Sequence, residues 1–283
     1  MHLRSYFSIL VLISFATCLL GQENIYHLNY KNEALYIGAG IGLNVLGTIL
    51  VKNADDSNLD EVNALVPSDI WAFDRGAISN YSSTAQSASD ILLVTGATLP
   101  FMTYFSKKCR SEGTAIGVMA LKTFLLTNGL TSITKGAAKR YRPYNYNPNV
   151  DEAIKLGSQS RLSFFSGHAS NSAAMSFFAA KVLTDLHPDM KNKTLVWVTA
   201  ATIPAAISYL RFEGGKHFPT DLIAGYAVGA TIGYFIPSLH LSKNVKLNAS
   251  GTGALSLKIN INGRNQCSKY SCSGENEQNF IGK

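Results

Sequence analysis

Three separate segments hold the residues able to do chemistry. The first runs from Lys135 to Arg142-Pro143, with Lys139 between them. Spacings of four and seven would stack Lys135, Lys139 and Arg142 on one helical face, and Pro143 would stop that helix directly after Arg142. The guanidinium would then sit at a rim, beside the loop Tyr144-Asn145-Tyr146-Asn147-Pro148. The second segment is Ser163-Phe164-Phe165-Ser166-Gly167-His168-Ala169-Ser170. A helix opening at Ser166-Gly167 leaves unpaired N–H groups at its positive end, where an anion is stabilised, and His168 would project from the first turn. In the third, Arg211 and His217 flank Gly214-Gly215, Pro219 is placed to open a helix, and Asp221 can accept a hydrogen bond from the imidazole of His217. Each piece alone also has a plain structural reading. Basic residues suit a helix C-terminus, Ser166 suits an N-cap, and Asp221 suits a first turn. Together they combine three cations, a helix N-terminus, two histidines and a histidine-orienting carboxylate, with no acidic metal cluster.

Elements must bring these segments to one place. Apolar stretches recur near 35–51, 91–105, 115–133, 169–186, 195–210 and 221–237, which predicts an all-α, six-helix core bundle with the three segments at one end. Residues 53–89 are more polar and read as a lid or connector marked by Pro67, Trp71 and Phe73. After Leu241 the helical pattern ends, and Leu255 to Ile261 alternates as one short β-strand would, inside a polar, loosely ordered tail over residues 243–283. At the other terminus, an apolar run from Tyr6 to Leu20 followed by Gly21 predicts a signal peptide over residues 1–21, leaving a helical domain over 22–242. An uncleaved anchor is the alternative for that segment, and Cys18 within it is a poor lipoprotein site.

With 46% hydrophobic and 15% charged residues in 283, the chain is neither disordered nor of low complexity. Its net charge of +7 suits an anionic substrate or an acidic membrane surface. No basic block or aromatic platform suggests nucleic acid. Cys267 and Cys272 enclose four residues and could bridge, whereas Cys109, in Lys107-Lys108-Cys109-Arg110, has no neighbour to pair with. Whether the helices cross a membrane stays open at this level. The runs fall short of about 20 residues and two are interrupted by Lys122 and Lys181. Yet Lys107, Lys108, Arg110, Lys191 and Lys193 cluster at the end opposite the chemical segments, as cytoplasmic loops would. A cleaved signal, six true spans and an outward-facing site cannot all hold, because six crossings starting outside would put the loop after residue 133 inside.

Lys135-x6-Arg142-Pro143, Ser166-Gly167-His168 and Arg211-x5-His217-x3-Asp221 resemble the three-part signature of the type 2 phosphatidic acid phosphatase superfamily, which also holds bacterial non-specific acid phosphatases and vanadium-dependent haloperoxidases. The resemblance implies a metal-independent phosphatase acting on phosphate monoesters or pyrophosphates, lipid-linked ones above all. In that reading His217, held by Asp221, is the nucleophile that becomes a phosphohistidine, and His168 is the acid and base. Lys135, Arg142, Ser166, Gly167 and Arg211 cradle the phosphoryl oxygens. It implies no cofactor, with vanadate a phosphate-mimicking inhibitor. The partners are a phosphorylated lipid or small phosphate ester and the membrane, and the protein is exported with an extracytoplasmic site. Two departures stand out: Phe165 where the family usually has Pro, and Leu210 where it usually has Ser. A haloperoxidase holding vanadate through His217 and a catalytically silent anion-binding membrane protein are the competing implications. Which ester is the substrate is not legible in the sequence.

Overall fold

The computed structural model describes residues 25–54, 57–241 and the strands 245–249 and 255–259. The expectations for the signal segment, Cys18, Cys267 and Cys272 lie outside these residues. We label the long helices α1 (Tyr30–Lys52), α2 (Ser83–Ala97), α3 (Gly113–Ala138), α4 (Gly167–Leu186), α5 (Lys193–Glu213) and α6 (Pro219–His240). They form one unit ending at Leu241. Beyond it, and described by itself, an antiparallel ribbon pairs β1 (Val245–Ala249) with β2 (Leu255–Ile259), so the alternating stretch is half of a hairpin.

Helix α4 is the hub, packing against α2, α3, α5 and α6, whereas α1 lies mainly on α3. The α4–α6 contact is unusually close because Gly225, Gly229 and Gly233, one every four residues, face Ser166, Ser170 and Ala174. A Cβ on Gly225 would lie 2.6 Å from the Ser166 carbonyl oxygen, so only glycine lets the two helices start side by side. That approach brings the Ser166 amide 3.0 Å from the Asp221 carbonyl. On α1, Asn44 makes the equivalent seam with α3, donating to the Leu125 carbonyl at 2.8 Å and accepting from Asn128 at 2.6 Å.

Two boundaries differ from the sequence expectation. The second helix begins at Ser83 rather than near 91, because the Ser82 side chain accepts from the Ala85 amide and starts the helix inside the polar stretch. It ends at Ala97, and the chain continues to Phe105 through the short helical turns Leu99–Met102 and Thr103–Phe105 around Pro100. The second correction is chemical. Helix α3 ends at Ala138 and Lys139 caps it in the left-handed region at φ 45°, so Lys135, Lys139 and Arg142 do not share a helical face.

Among the described residues, four segments are long and apolar enough to cross a membrane: Tyr30–Lys52, Gly113–Tyr146, Lys193–Glu213 and Pro219–His240. Many apolar side chains on them face outward, among them Leu35, Ile41, Val45 and Ile49 on α1, Leu195 and Val198 on α5, and Ile223, Phe235 and Leu239 on α6. That exposure suits lipid rather than water. The two lysines that interrupt the apolar runs are neutralised inside the bundle. Lys122 is ion-paired with Glu33 and donates to His240 Nε2 at 2.6 Å. Lys181 pairs with Asp185 one turn away at 2.5 Å. Tyr26 and Leu241 bridge at the end of the bundle where α1 begins and α6 ends, opposite the three chemical segments.

Candidate active site

Two helix starts, two helix ends and two loops converge at the other end of the bundle. Lys135 lies in the last turn of α3, and its Nζ donates to the Leu162 carbonyl at 2.5 Å. Arg142 follows in extended backbone. It is buried rather than at a rim, because the segment Pro143–Tyr146 is a turn of 3₁₀-helix folded under it, with Tyr144 and Asn145 buried as well. The Arg142 guanidinium is aimed by two carbonyls: Nε donates to Gln159 at 2.7 Å and Nη1 to Lys216 at 2.8 Å. Nη1 also lies 3.3 Å from Nε2 of His217. Arg211, in the last turn of α5, is 6% exposed, and its Nε makes no hydrogen bond within the protein. A buried guanidinium N–H without an acceptor suits an oxyanion.

Ser166 is the N-cap of α4, its hydroxyl accepting from the Ala169 amide at 3.3 Å. The amides of Gly167 and His168, in the first turn, have no intrahelical acceptors and carry the positive end of the helix dipole. A Cβ on Gly167 would meet Thr131 Cγ2 at 3.3 Å and Lys135 Cε at 3.8 Å, so the glycine seats the helix start against the lysine.

His217 is 1% exposed. Its Nδ1 lies 2.8 Å from the Ser163 carbonyl oxygen. A carbonyl can only accept, so Nδ1 carries the proton and Nε2 presents its lone pair toward Arg142. Burial, then the charges of Arg142, Lys135 and Arg211, hold the His217 pKa well below the usual histidine range, which keeps the ring neutral at physiological pH.

The carboxylate of Asp221 is not the hydrogen-bond partner of that ring. Its Oδ2 is 3.8 Å from His217 Nδ1 and instead accepts from Ser163 Oγ at 2.5 Å and the Phe218 amide at 2.9 Å. Oδ1 accepts from Arg140 at 2.6 Å. Asp221 thus holds the Ser163 segment whose carbonyl holds His217.

Several residues here were not singled out by the sequence. Arg140 bridges Asp221 and Asp74 and stacks 4.2 Å from the centre of the Phe218 ring. Asp74, from the connector, accepts from the Thr220 amide at 3.0 Å and its hydroxyl at 2.6 Å. The connector therefore braces the start of α6, with Ile70 and Ala77 packed on Phe218. Lys216 lies 5.0 Å over the Tyr144 ring, its pKa pushed down to about 8 by burial and by Arg142 and Arg211. Asp90 of α2 lies 2.7 Å from His168 Nε2 and 3.2 Å from Arg211 Nη1. Burial, then Arg211, pushes the His168 pKa down to about 4. Among these, Arg140 and Lys216 lie inside the chemical segments, whereas Asp74 and Asp90 carry no local signal. Lys139 points away, toward the Asn53 carbonyl at 3.4 Å. Among the described residues no group of three or more His, Cys, Asp or Glu could hold a metal ion.

Residues 115–244 match the family described as the PAP2 superfamily. Lipid A 4'-phosphatase of Porphyromonas gingivalis is 26% identical over 144 residues, covering 50% of this chain and 57% of that one. Phosphatidylglycerophosphatase B of Bacillus subtilis is 29% identical over 124 residues, 42% of this chain and 56% of that one. The chain thus spans about half the length of the curated relatives it matches. A crystal structure titled the first transmembrane PAP2 type phosphatidylglycerolphosphate phosphatase from Bacillus subtilis is 22% identical with a TM-score of 0.45, covering 71% of this chain and 94% of that one.

Proposed function

We propose that this chain, whose residues 115–244 match the family described as the PAP2 superfamily, is a metal-independent phosphatase acting on a lipid-borne phosphate monoester or pyrophosphate. The observation that carries the reading is the state of His217: neutral, buried, its proton committed to the Ser163 carbonyl and its lone pair aimed into a pocket of cations. The Nε2 lone pair attacks phosphorus and forms a P–N bond as the P–O bond to the leaving group breaks. His168 gives a proton to the departing oxygen. A water, deprotonated by His168, then attacks the phosphohistidine, releasing phosphate and restoring neutral His217. Lys135, Arg142, Arg211 and the amides of Gly167 and His168 neutralise the equatorial oxygens as charge spreads, the task for which such a preorganised cradle is worth most. Four lipid-compatible segments and relatives named as lipid phosphatases support the substrate class. The site opens at the end of the bundle away from Lys107, Lys108, Arg110 and Lys193, which supports an extracytoplasmic orientation.

Rapid quench with labelled substrate tests the mechanism. An acid-labile phosphoenzyme should form in the wild type in the presence of EDTA and be absent from His217→Ala. An intermediate that survives in that variant overturns the assignment.

A further inference from the structure

Asp90 lies outside the segment that matches the family and outside all three chemical motifs. We propose that Asp90 is the positioning residue of the general acid, its carboxylate joining His168 Nε2 to Arg211 Nη1 across the mouth of the site; this rests on the phosphatase reading above. Oδ1 accepts from both groups, at 2.7 Å and 3.2 Å. Its helix is pinned in place at the same level. Arg211 donates to Ser89 Oγ at 3.2 Å, Ser89 donates to the Gln86 carbonyl at 2.7 Å, and Gln86 donates to the Gly214 carbonyl at 2.8 Å. The carboxylate therefore sits on a fixed frame although its own side chain is exposed.

A carboxylate accepts, so the His168 proton on Nε2 is committed to Asp90. The proton exchanged with substrate is then the one on Nδ1, which has no protein partner among the described residues. When the ester P–O bond breaks, its electron pair stays on the leaving oxygen, which takes the Nδ1 proton. His168 is left neutral with Nε2–H still held. The hydrolytic water later returns a proton to Nδ1, closing the cycle. Asp90 thus selects the tautomer and supplies the negative charge that an imidazolium needs among cations.

The charged and titratable groups that face His168 are Asp90 from α2, Arg211 from α5, Arg142 from the loop after α3, and His217. Burial, Arg211 and Arg142 oppose its protonation, and only Asp90 favours it. Removing that carboxylate makes the acid harder to keep protonated, so the high-pH limb of kcat should move to lower pH.

The test uses Asp90→Asn and Asp90→Glu in the full-length protein, alone and combined with His168→Ala. Each is assayed on para-nitrophenyl phosphate, whose leaving group needs little protonation, and on phosphatidic acid in mixed micelles, whose alkoxide needs it. General acids are typically worth about 10²–10⁴-fold, so Asp90→Asn should lower kcat on the alkyl ester by about 10-fold or more. The aryl ester should lose far less, KM should change little, Asp90→Glu should recover part of the loss, and Asp90→Asn should add nothing once His168 is alanine. Equal losses on both esters, or a loss that persists in the His168→Ala background, would assign Asp90 a purely structural role and overturn the proposal. A fall in KM at unchanged kcat would instead make the carboxylate a competitor of phosphate and overturn it too. A wild type inactive on both esters would sink the phosphatase reading itself, a result distinct from any of these.

Discussion

Asp221→Asn separates two accounts of how His217, the proposed nucleophile, is held. If the carboxylate itself fixed the His217 tautomer, its loss would resemble removal of the orienting carboxylate from a catalytic triad, worth about 10⁴-fold in kcat. The geometry argues for a smaller, indirect effect, because Nδ1 is 2.8 Å from the Ser163 carbonyl and 3.8 Å from the carboxylate. An asparagine fits the same space, but its NH2 must oppose either the Arg140 N–H or the Phe218 amide, both of which now donate to the carboxylate. A hydrogen bond to a charged group contributes about 1.5–3 kcal/mol, and Arg140 retains Asp74, so the lower half of that range is expected in stability. At about 2–4 °C per kcal/mol for a domain of this size, the melting temperature in detergent should fall by roughly 3–9 °C. Were all of that strain passed to the nucleophile, kcat would fall by about 10–100-fold, since 1.36 kcal/mol is one decade. The assay pairs initial rates on para-nitrophenyl phosphate with thermal unfolding of the same preparation. A loss of about 10⁴-fold with an unchanged melting temperature would refute the indirect role and return the tautomer to Asp221.

Orthovanadate should inhibit competitively and EDTA should leave the rate unchanged, since a cradle of guanidinium, ammonium and amide groups binds a trigonal-bipyramidal oxyanion unaided; strict dependence on added magnesium or zinc would reject this chemistry. Acid should destabilise the fold: His168 titrates near pH 4 when folded and about 6.5 when unfolded, so the unfolded state binds more protons between these values. Stability present above about pH 6.5 is therefore lost as pH falls toward 4, and His217, depressed in the same direction, adds to the loss; a melting temperature flat from pH 7 to 4 would contradict both histidine environments. For orientation, Asn149 is the place to introduce a cysteine, because it is exposed near the site whereas Asn145 is buried. In a background without other cysteines, Asn149→Cys should react with an impermeant maleimide on intact cells, and reaction only after lysis would reverse the proposed sidedness.

Local patterns in the sequence determined which stretches become helices and which of their ends meet at the candidate site. Ser166-Gly167 opens α4 because a serine hydroxyl satisfies an orphan amide there, and Pro219 opens α6 because a helix needs no amide at its first position. Both are decided within a few residues. Where the cations point was not. The spacing of Lys135, Lys139 and Arg142 implies a shared face only if the helix continues, and its end at Ala138, followed by left-handed Lys139, sends Arg142 into the site and Arg140 to the carboxylates. The identity of the His217 partner was likewise open to local reasoning, since a carboxylate four residues away and a distant carbonyl compete for one N–H. Tertiary packing gave that bond to Ser163, 54 residues away, and used Asp221 to hold Ser163. Asp74 and Asp90 were invisible for the same reason: their partners lie 146 and 121 residues onward, and a lone aspartate in a polar stretch has no spacing that announces them. Only the meeting of α2, α5 and the start of α4 turned a surface carboxylate into a neighbour of the half-buried His168.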